Sequence, residues 1–264
     1  MKIFKFIAMT VFIVFVGEAA AQDATPIPVF TDIPVPTAVP CIDPAVGPQN
    51  NRWQPQEGKC SLQESVVIGV SVAYPQALGE QYPFAKAVML KYLNQVRRNF
   101  WEGVDTWVVR PDDDFHSWQW SLDIKADTFQ HSATITSVLF TTSTYTGGDA
   151  RELVTFQTYT FDLGVSRTLT LRDVFVEGVD PYTTVAPLAS AQLRQKLGDG
   201  FVDAIVNGTI PVPENYASWV LTETALVFYF PGERVGVAGL GTQVVTIPLI
   251  ELGPNLRPEF LRIP

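Results

Sequence analysis

Histidine and cysteine are scarce in this sequence of 264 residues, which has two of each. A protein zinc site needs three or four nitrogen, sulfur or carboxylate ligands at suitable spacing. The two histidines, His116 and His131, form neither an HxxxH nor an HExxH motif. The acidic stretch that precedes His116 also lacks the glycine and the distal glutamate of an EF-hand calcium loop. We therefore expect neither a metal site nor a cofactor.

The sequence also lacks the short motifs that mark common catalytic sites. It has no GxSxG elbow for a nucleophilic serine and no glycine-rich phosphate loop. Ser71 and Ser166 fall in a predicted strand and a predicted turn, with no histidine close to either in sequence. Glycoside hydrolysis uses two carboxylates that are paired only in space, so Glu80, Asp105 and Asp149 are no more than acids in predicted loops. We therefore assign no catalytic residue.

Charged side chains make up only 17% of the sequence, and hydrophobic ones make up 47%. This balance is typical of a compact fold rather than of extended disorder. Acids outnumber bases, and the formal net charge is −9. An acidic surface repels the phosphates of nucleic acids and of anionic lipids. We therefore expect neither nucleic acid nor a membrane surface as the partner.

The first 21 residues, MKIFKFIAMTVFIVFVGEAAA, have the composition of a secretory signal peptide. A basic start is followed by an apolar run and then by small residues suited to cleavage. The apolar run is short for a membrane span, which needs about 20 residues. We expect residues 1–21 to be removed and the protein to be secreted or extracytoplasmic, and an uncleaved anchor is the alternative. Removal takes the net charge from −9 to −10, because Lys2, Lys5 and Glu18 leave with the segment.

Residues 22–60 are predicted to form a proline-rich tether that contains both cysteines. Eight prolines lie between residues 23 and 55, a composition that favours an extended, semi-rigid chain. In an oxidising compartment Cys41 and Cys60 most simply form one disulfide, and a reactive thiol is the alternative. Closing this loop is worth about 3 kcal/mol in the chain-entropy model. The folded body is expected to begin near Ser61.

The rest of the chain alternates between strand and helix patterns. Residues 83–102 carry apolar side chains at helical spacing, and a second helix is expected within 181–197, beginning at Pro181 or, because proline breaks helices, at Pro187. Strands are expected in six further segments, which are 61–75, 116–125, 132–145, 152–162, 218–230 (as two strands) and 242–250. Many strands with two main helices predict an α+β fold with antiparallel sheets.

The stretch RPDDDFHSWQW (110–120) combines acids, a histidine and two tryptophans. From His116 onward the residues alternate, so that Trp118 and Trp120 share a face with Leu122 and Ile124. The pattern predicts a half-buried strand with both indole rings in the core. A stacking platform for sugar rings is the alternative if that face is open.

Four motifs, in order, resemble a family of bacterial extracytoplasmic domain pairs of unknown function. They are SVAYPQALG followed by YLNQV, then YTGGDA (145–150), YTFDLGVSRTLTLRDVF (159–175) and LTETALVFYFPGERVGVAGLGTQVVTIPL (221–249). Such pairs form the outer part of RsiV-type lysozyme-sensing anti-sigma factors. Similar domains occur in a secreted mycobacterial immunogenic protein and in some peptidoglycan deacetylases. The resemblance implies an N-terminal domain at 61–150, a C-terminal domain at 151–252 and a tail at 253–264.

The resemblance implies a non-enzymatic binding module whose partner is a lysozyme-like protein or a cell-wall glycan. A cell-wall polysaccharide hydrolase with an unidentified carboxylate pair is the alternative. Asp149 and Ala150 stand where the family usually has alanine and histidine, so any role of that histidine is lost. With five residues before the apolar run and an end at Pro264, we expect neither a sigma-binding segment nor a deacetylase domain.

Two predicted loops are the candidate binding segments, because exposed loops on a rigid scaffold often carry binding. The candidate residues are Asp112, Asp113, Asp114, Gly147, Gly148 and Asp149.

The cysteine pairing gives the first testable prediction. Mass spectrometry of the unreduced protein, after removal of residues 1–21, should show the mass loss of one Cys41–Cys60 disulfide, because no other cysteine is present. Two alkylatable thiols would contradict the pairing.

Overall fold

The computed structural model describes residues 53–56, 59–62, 66–108, 118–146 and 151–261. The strands are β1 (Trp53–Gln56), β2 (Lys59–Leu62), β3 (Val66–Val72), β4 (Trp118–Gln130), β5 (Ile135–Tyr145), β6 (Leu153–Asp162), β7 (Arg167–Leu169), β8 (Trp219–Leu221), β9 (Ala225–Phe230) and β10 (Gln243–Pro248). The α-helices are α1 (Gln76–Gln81), α2 (Pro83–Val108), α3 (Leu171–Val174), α4 (Pro181–Leu197), α5 (Val202–Gly208), α6 (Gly232–Val235) and α7 (Leu249–Leu252).

Strands β1 to β7 form one sheet in sequence order, and β8 to β10 form a second sheet. Neighbouring strands are antiparallel except β3 and β4, which are parallel. A parallel pair needs a long crossover connection, and here α1 and α2 lie between the two strands in the chain. The predicted α+β class is confirmed, and the sheets are antiparallel as predicted except at the β3–β4 pair.

Helix α2 covers one face of the seven-stranded sheet. The helix predicted at 83–102 is confirmed, and it continues to Val108. Its buried side chains belong to one cluster with the inward face of β4 and β5. They are Ala85, Met89, Leu93, Phe100, Trp101 and Val104.

The three-stranded sheet packs with α4 around a second cluster of buried side chains. Asp180 caps α4 by accepting a hydrogen bond from the Thr183 backbone N–H at 3.2 Å, and Pro181 follows as the first helical residue. A carboxylate cap followed by proline is a strong start signal, because proline at that position lacks only an N–H that would be unpaired anyway. The helix therefore begins at Pro181, and Pro187 lies inside it.

Strand β8 is an edge strand of the small sheet. Its backbone side that does not pair with β9 is turned to the back face of the large sheet, which is the face opposite α2. There Ser137 Oγ accepts from the Leu221 N–H at 2.9 Å, and Thr158 Oγ1 accepts from the Trp219 N–H at 3.1 Å. The hydroxyls of Ser137 and Thr160 bond to each other at 2.8 Å. We call Ser137, Thr158 and Thr160 the hydroxyl clamp. The clamp pairs backbone groups that would otherwise be buried without partners.

The fold begins earlier and ends later than expected. Strand β1 and the first half of β2 lie within the segment predicted as tether, and the two strands extend the sheet beyond β3. Pro55 lies in β1, which is the edge strand of this sheet, and edge strands tolerate proline. At the other end, the expected tail packs Leu256 and Phe260 into the second cluster at 3% exposure each. The rest of the tether, including Cys41, lies outside the described residues.

The predicted domain boundary at residue 150 falls between two strands of one sheet. Strands β5 and β6 pair over ten residues, from Ile135 opposite Asp162 to Thr144 opposite Leu153. The two clusters of buried side chains instead lie on opposite faces of the large sheet, since Val138 belongs to the α2 cluster and its neighbour Ser137 faces β8.

Among the described residues, no helix is long and apolar enough to cross a membrane.

The hydroxyl clamp gives a stability prediction. Ser137→Ala should lower the free energy of unfolding by about 1–3 kcal/mol, because it leaves the buried Leu221 N–H without a partner. Thr136→Val is the matched control. Thr136 is fully buried next to Ser137 in β5, and its hydroxyl has no hydrogen-bond partner in the described structure.

Urea unfolding monitored by tryptophan fluorescence measures both changes. Thr136→Val should be neutral or stabilising, because it removes a buried unpaired hydroxyl at nearly constant volume. Equal losses in the two variants would show that the clamp makes no specific contribution.

Candidate functional site

The predicted binding loops lie outside the described residues. This holds for Asp112, Asp113 and Asp114 and for Gly147, Gly148 and Asp149. Their role in binding therefore stays a prediction. Thr146, which directly precedes Gly147 in the sequence, is described, and it lines a cleft beside α2.

Three other candidate residues for chemistry, His131, Ser71 and Glu80, are described, and they lie in different parts of the fold. His131 is 1% exposed, and its Nδ1 lies 2.8 Å from the Thr222 carbonyl oxygen, so Nδ1–H is the donor. Ser71 lies on an exposed position of β3, and Glu80 lies on α1. Within the described residues no group of three or more histidine, cysteine or acidic side chains is placed to hold a metal ion.

The candidate functional site is a cleft of about 420 Å³ between α2 and the front face of the large sheet. We call it the α2 cleft. The helix contributes Tyr92, Val96, Asn99, Phe100 and Gly103. Each of these positions is three or four residues from another of them, as in the steps 92–96–99–103 and 96–100–103, so they share one face of the helix.

The strands supply the opposite wall of the α2 cleft. Trp120 and Leu122 come from β4, alternate threonines come from β5 and the residue following it, and Thr155 and Gln157 come from β6. Alternate residues of a strand point to the same face. These threonines are Thr142 and Thr144 of β5 and Thr146, which follows it.

A hydrogen bond between Tyr92 and Thr142 closes the inner end of the polar wall, with 2.9 Å between the two hydroxyl oxygens. The Tyr92 ring lies against Phe140 at 5.3 Å and Tyr159 at 6.2 Å between centroids. Burial raises the pKa of Tyr92, although the bond to Thr142 partly offsets this rise. Burial also raises the pKa of Tyr159. Both phenols therefore stay neutral at physiological pH.

Several polar groups of the α2 cleft have no protein partner in the described structure. Asn99 Oδ1 accepts a bond from Gln95 at 2.7 Å, which leaves the Asn99 NH₂ group as a donor. Gln157 donates to the Thr158 carbonyl at 3.1 Å, which leaves its side-chain oxygen as an acceptor. The hydroxyls of Thr144 and Thr155 are both donors and acceptors. The cleft therefore offers uncharged donors and acceptors around an apolar floor.

No acid, histidine or basic residue is among the described residues that line the α2 cleft. The described lining supplies hydrogen-bond donors and acceptors together with apolar contact, which suits it to binding an uncharged group.

Trp120 is part of the core floor rather than an open platform. It is 4% exposed, and its ring meets Phe100 edge-on at 6.3 Å. The predicted burial of Trp120 is therefore confirmed, whereas the side chain of Trp118 lies outside the described residues.

The polar residues of the cleft were not predicted. The alternate threonines of TTSTYT, following Val138 and Phe140 on the same face, were the one signal for them in the sequence.

Comparison with known proteins places a recognised domain in the second half of the chain. Residues 172–249 match the family model "Protein of unknown function (DUF3298)". The match begins after β7 and covers α4 and the small sheet. The predicted resemblance is confirmed at the level of this domain, and the finer likeness to RsiV-type anti-sigma factors stays a prediction.

Two curated relatives share shorter stretches with this chain. One is "Esterase Rv3036c" of Mycobacterium tuberculosis, with 24% identity over 107 residues, which are 40% of this chain and 46% of that protein. Another is "Peptidoglycan-N-acetylmuramic acid deacetylase PdaC" of Bacillus subtilis, with 25% identity over 126 residues, which are 47% of this chain and 27% of that protein. The chain thus spans less than half of the length of these relatives.

A solved structure shares the fold. The crystal structure of a DUF3298 family protein (PA4972) from Pseudomonas aeruginosa PAO1 matches with a TM-score of 0.51 and 13% sequence identity. The match covers 83% of this chain and 92% of that chain. At this identity the likeness shows the fold alone.

The position of Trp120 gives the third prediction. Trp120→Ala should lower the free energy of unfolding by about 3–5 kcal/mol, because it leaves a large cavity under α2. Tyr92→Phe, which removes only the bond to Thr142, should cost about 1 kcal/mol or less. A Trp120→Ala variant as stable as the unmodified protein would place the ring outside the core.

Proposed function

We propose that the protein is an extracytoplasmic, non-enzymatic binding module that holds an uncharged segment of cell-wall glycan in the α2 cleft. The lining of that cleft carries the proposal, since it combines a Phe100 and Trp120 floor with unpaired groups on Asn99, Thr144 and Gln157. Ligand sites are commonly apolar clefts with a few placed polar groups.

The chemistry of a cell-wall sugar matches this lining. A sugar ring has apolar C–H faces and a rim of hydroxyls, and an N-acetylated sugar adds one amide with a donor and an acceptor. Hydroxyl and carboxamide side chains can both donate and accept, so they pair with such a rim without burying a charge.

The predicted location and the names of the relatives favour the same proposal. Residues 1–21 have the composition of a signal peptide, which would carry the protein to the compartment that holds the cell wall. One relative is named for its action on peptidoglycan N-acetylmuramic acid. A shared segment in such an enzyme would serve to hold the glycan.

Binding to soluble peptidoglycan fragments tests the proposal, and it is measured by isothermal titration calorimetry. Gly103→Phe should abolish binding. Gly103 is exposed at the cleft, and a Cβ added there meets no atom within 4 Å, so the new ring would fill the cleft without disturbing the core. Replacing a helical glycine should also leave the stability equal or slightly higher.

Arg98→Phe is the matched control, because Arg98 is exposed on α2 and does not line the cleft. It should bind the fragments as the unmodified protein does. Equal binding by Gly103→Phe, or no binding by the unmodified protein, would contradict the proposal.

A lysozyme-like protein is the second candidate partner, and the charge of the chain favours it. Lysozymes are commonly basic, and a net charge of −10 without residues 1–21 would attract them over long range. Specific binding should persist at 0.5 M salt, where free charges are screened beyond about 4 Å. Binding that vanishes at this salt concentration would mark the attraction as nonspecific.

The names of the two relatives favour a third candidate, a hydrolase of cell-wall polymers or esters. Release of acetate or of reducing ends from peptidoglycan by the purified protein would establish this activity and overturn the non-enzymatic proposal.

A further inference from the structure

The second edge of the small sheet is strand β10, and a side chain occupies part of it. Gln192 of α4 donates from Nε2 to the Thr246 carbonyl oxygen at 2.7 Å, and the Thr246 N–H donates to Gln192 Oε1 at 3.2 Å. A carboxamide has the same donor and acceptor as a peptide group. The Gln192 side chain therefore makes the two bonds that a residue of a neighbouring strand would make.

The backbone of Val244 faces the same way as that of Thr246. In an antiparallel strand, alternate residues direct their N–H and C=O groups to the same side. β9 lies on the other side of β10, where Val245 and Ile247 are opposite Phe228 and Leu226. Val244 is 38% exposed, and no hydrogen bond among the described residues pairs its outward backbone groups. The edge ends at Pro248, which has no N–H to donate.

A groove of about 650 Å³ runs along this edge between α4 and β10. Its helix wall includes Leu188, Gln192, Gln195 and Lys196, and Val244 forms part of the strand wall. The groove thus gives space for side chains directly beside unpaired backbone groups. An apolar ligand would leave those backbone groups unpaired, whereas an extended peptide satisfies them.

We propose that the edge of β10 binds an extended peptide segment of a partner protein as an added strand. In the free protein the Gln192 side chain is hydrogen-bonded to the backbone of Thr246, and the peptide displaces it on binding. The peptide pairs first with Val244. When the Gln192 side chain rotates away, Thr246 becomes available, and the edge then offers two N–H donors and two C=O acceptors. This site is separate from the α2 cleft, so the proposal of peptide binding does not depend on glycan binding.

The test uses the folded protein and a synthetic acetylated hexapeptide of alternating valine and threonine. Binding is followed by NMR titration of the backbone amides, and the peptide should shift the amide signals of Val244 and Thr246. Gln192→Ala should bind the peptide about fivefold more tightly, because the peptide no longer has to replace an existing hydrogen bond.

Two controls separate strand addition from other binding. Gln195→Ala should leave the affinity unchanged, because Gln195 lines the same groove and makes no hydrogen bond to β10 in the described structure. Val244→Pro should abolish binding, because it removes the first donor and is tolerated on an edge strand. The same hexapeptide with every second nitrogen methylated should not bind, because it cannot form the ladder.

Absence of shifts at Val244 in both the unmodified protein and Gln192→Ala would overturn the proposal. Equal binding of the methylated peptide would overturn it as well, since contact would then not depend on backbone pairing. If Gln192→Ala instead forms a dimer that excludes the peptide, the occupant of the edge is a second copy of the chain, and the proposed partner is wrong.

Discussion

The hydrogen bonds of the hydroxyl clamp decide how the two sheets fit together. Strand β8 has β9 on one side, and its other backbone edge faces the back of the large sheet. A sheet face normally offers side chains and no backbone partners, so an edge buried there would leave its N–H groups unpaired at a cost of about 1–3 kcal/mol each. Ser137 and Thr158 remove that cost by placing hydroxyls where a neighbouring strand would place carbonyls.

This arrangement gives β5 and β6 different roles on their two faces. On the back, Ser137, Thr158 and Thr160 hold β8 in position. On the front, the same strands carry Val138 and Phe140 into the α2 cluster and then the threonines of the α2 cleft. Because the strands are fixed from behind, the front wall of the cleft is positioned by rigid strands rather than by loops alone.

The two edges of the small sheet differ in how their backbone groups are paired. On the β8 edge, hydroxyls of the large sheet pair the N–H groups of Trp219 and Leu221, whereas on the β10 edge the Gln192 side chain holds Thr246 and leaves Val244 open. Exposed strand edges invite pairing with another chain, and proteins usually block them. An edge that is closed by one rotatable side chain, beside a groove, is suited to reversible pairing.

The sequence predicted the elements that have a clear period, and it could not predict contacts that join distant positions. The periodicity of 83–102 and the alternation from His116 to Lys125 located α2 and β4, because burial on one face imposes those patterns. The prolines of 23–55 hid β1, since an edge strand tolerates proline. The hydroxyl clamp and the α2 cleft combine residues from α2, β5, β6 and β8. In the clamp, Ser137 and Leu221 are 84 positions apart in the sequence. Local sequence patterns carry no signal for such pairs.

Amide hydrogen exchange measured by NMR tests the central claim, that the hydroxyl clamp closes the β8 edge as a paired strand would. The account predicts that the amides of Leu221 and Trp219 exchange as slowly as those of the β5–β6 ladder, because they open only when the sheets separate. The open edge amide of Val244 should exchange much faster and serves as the internal reference. Exchange of Leu221 and Trp219 at the rate of Val244 would contradict the account.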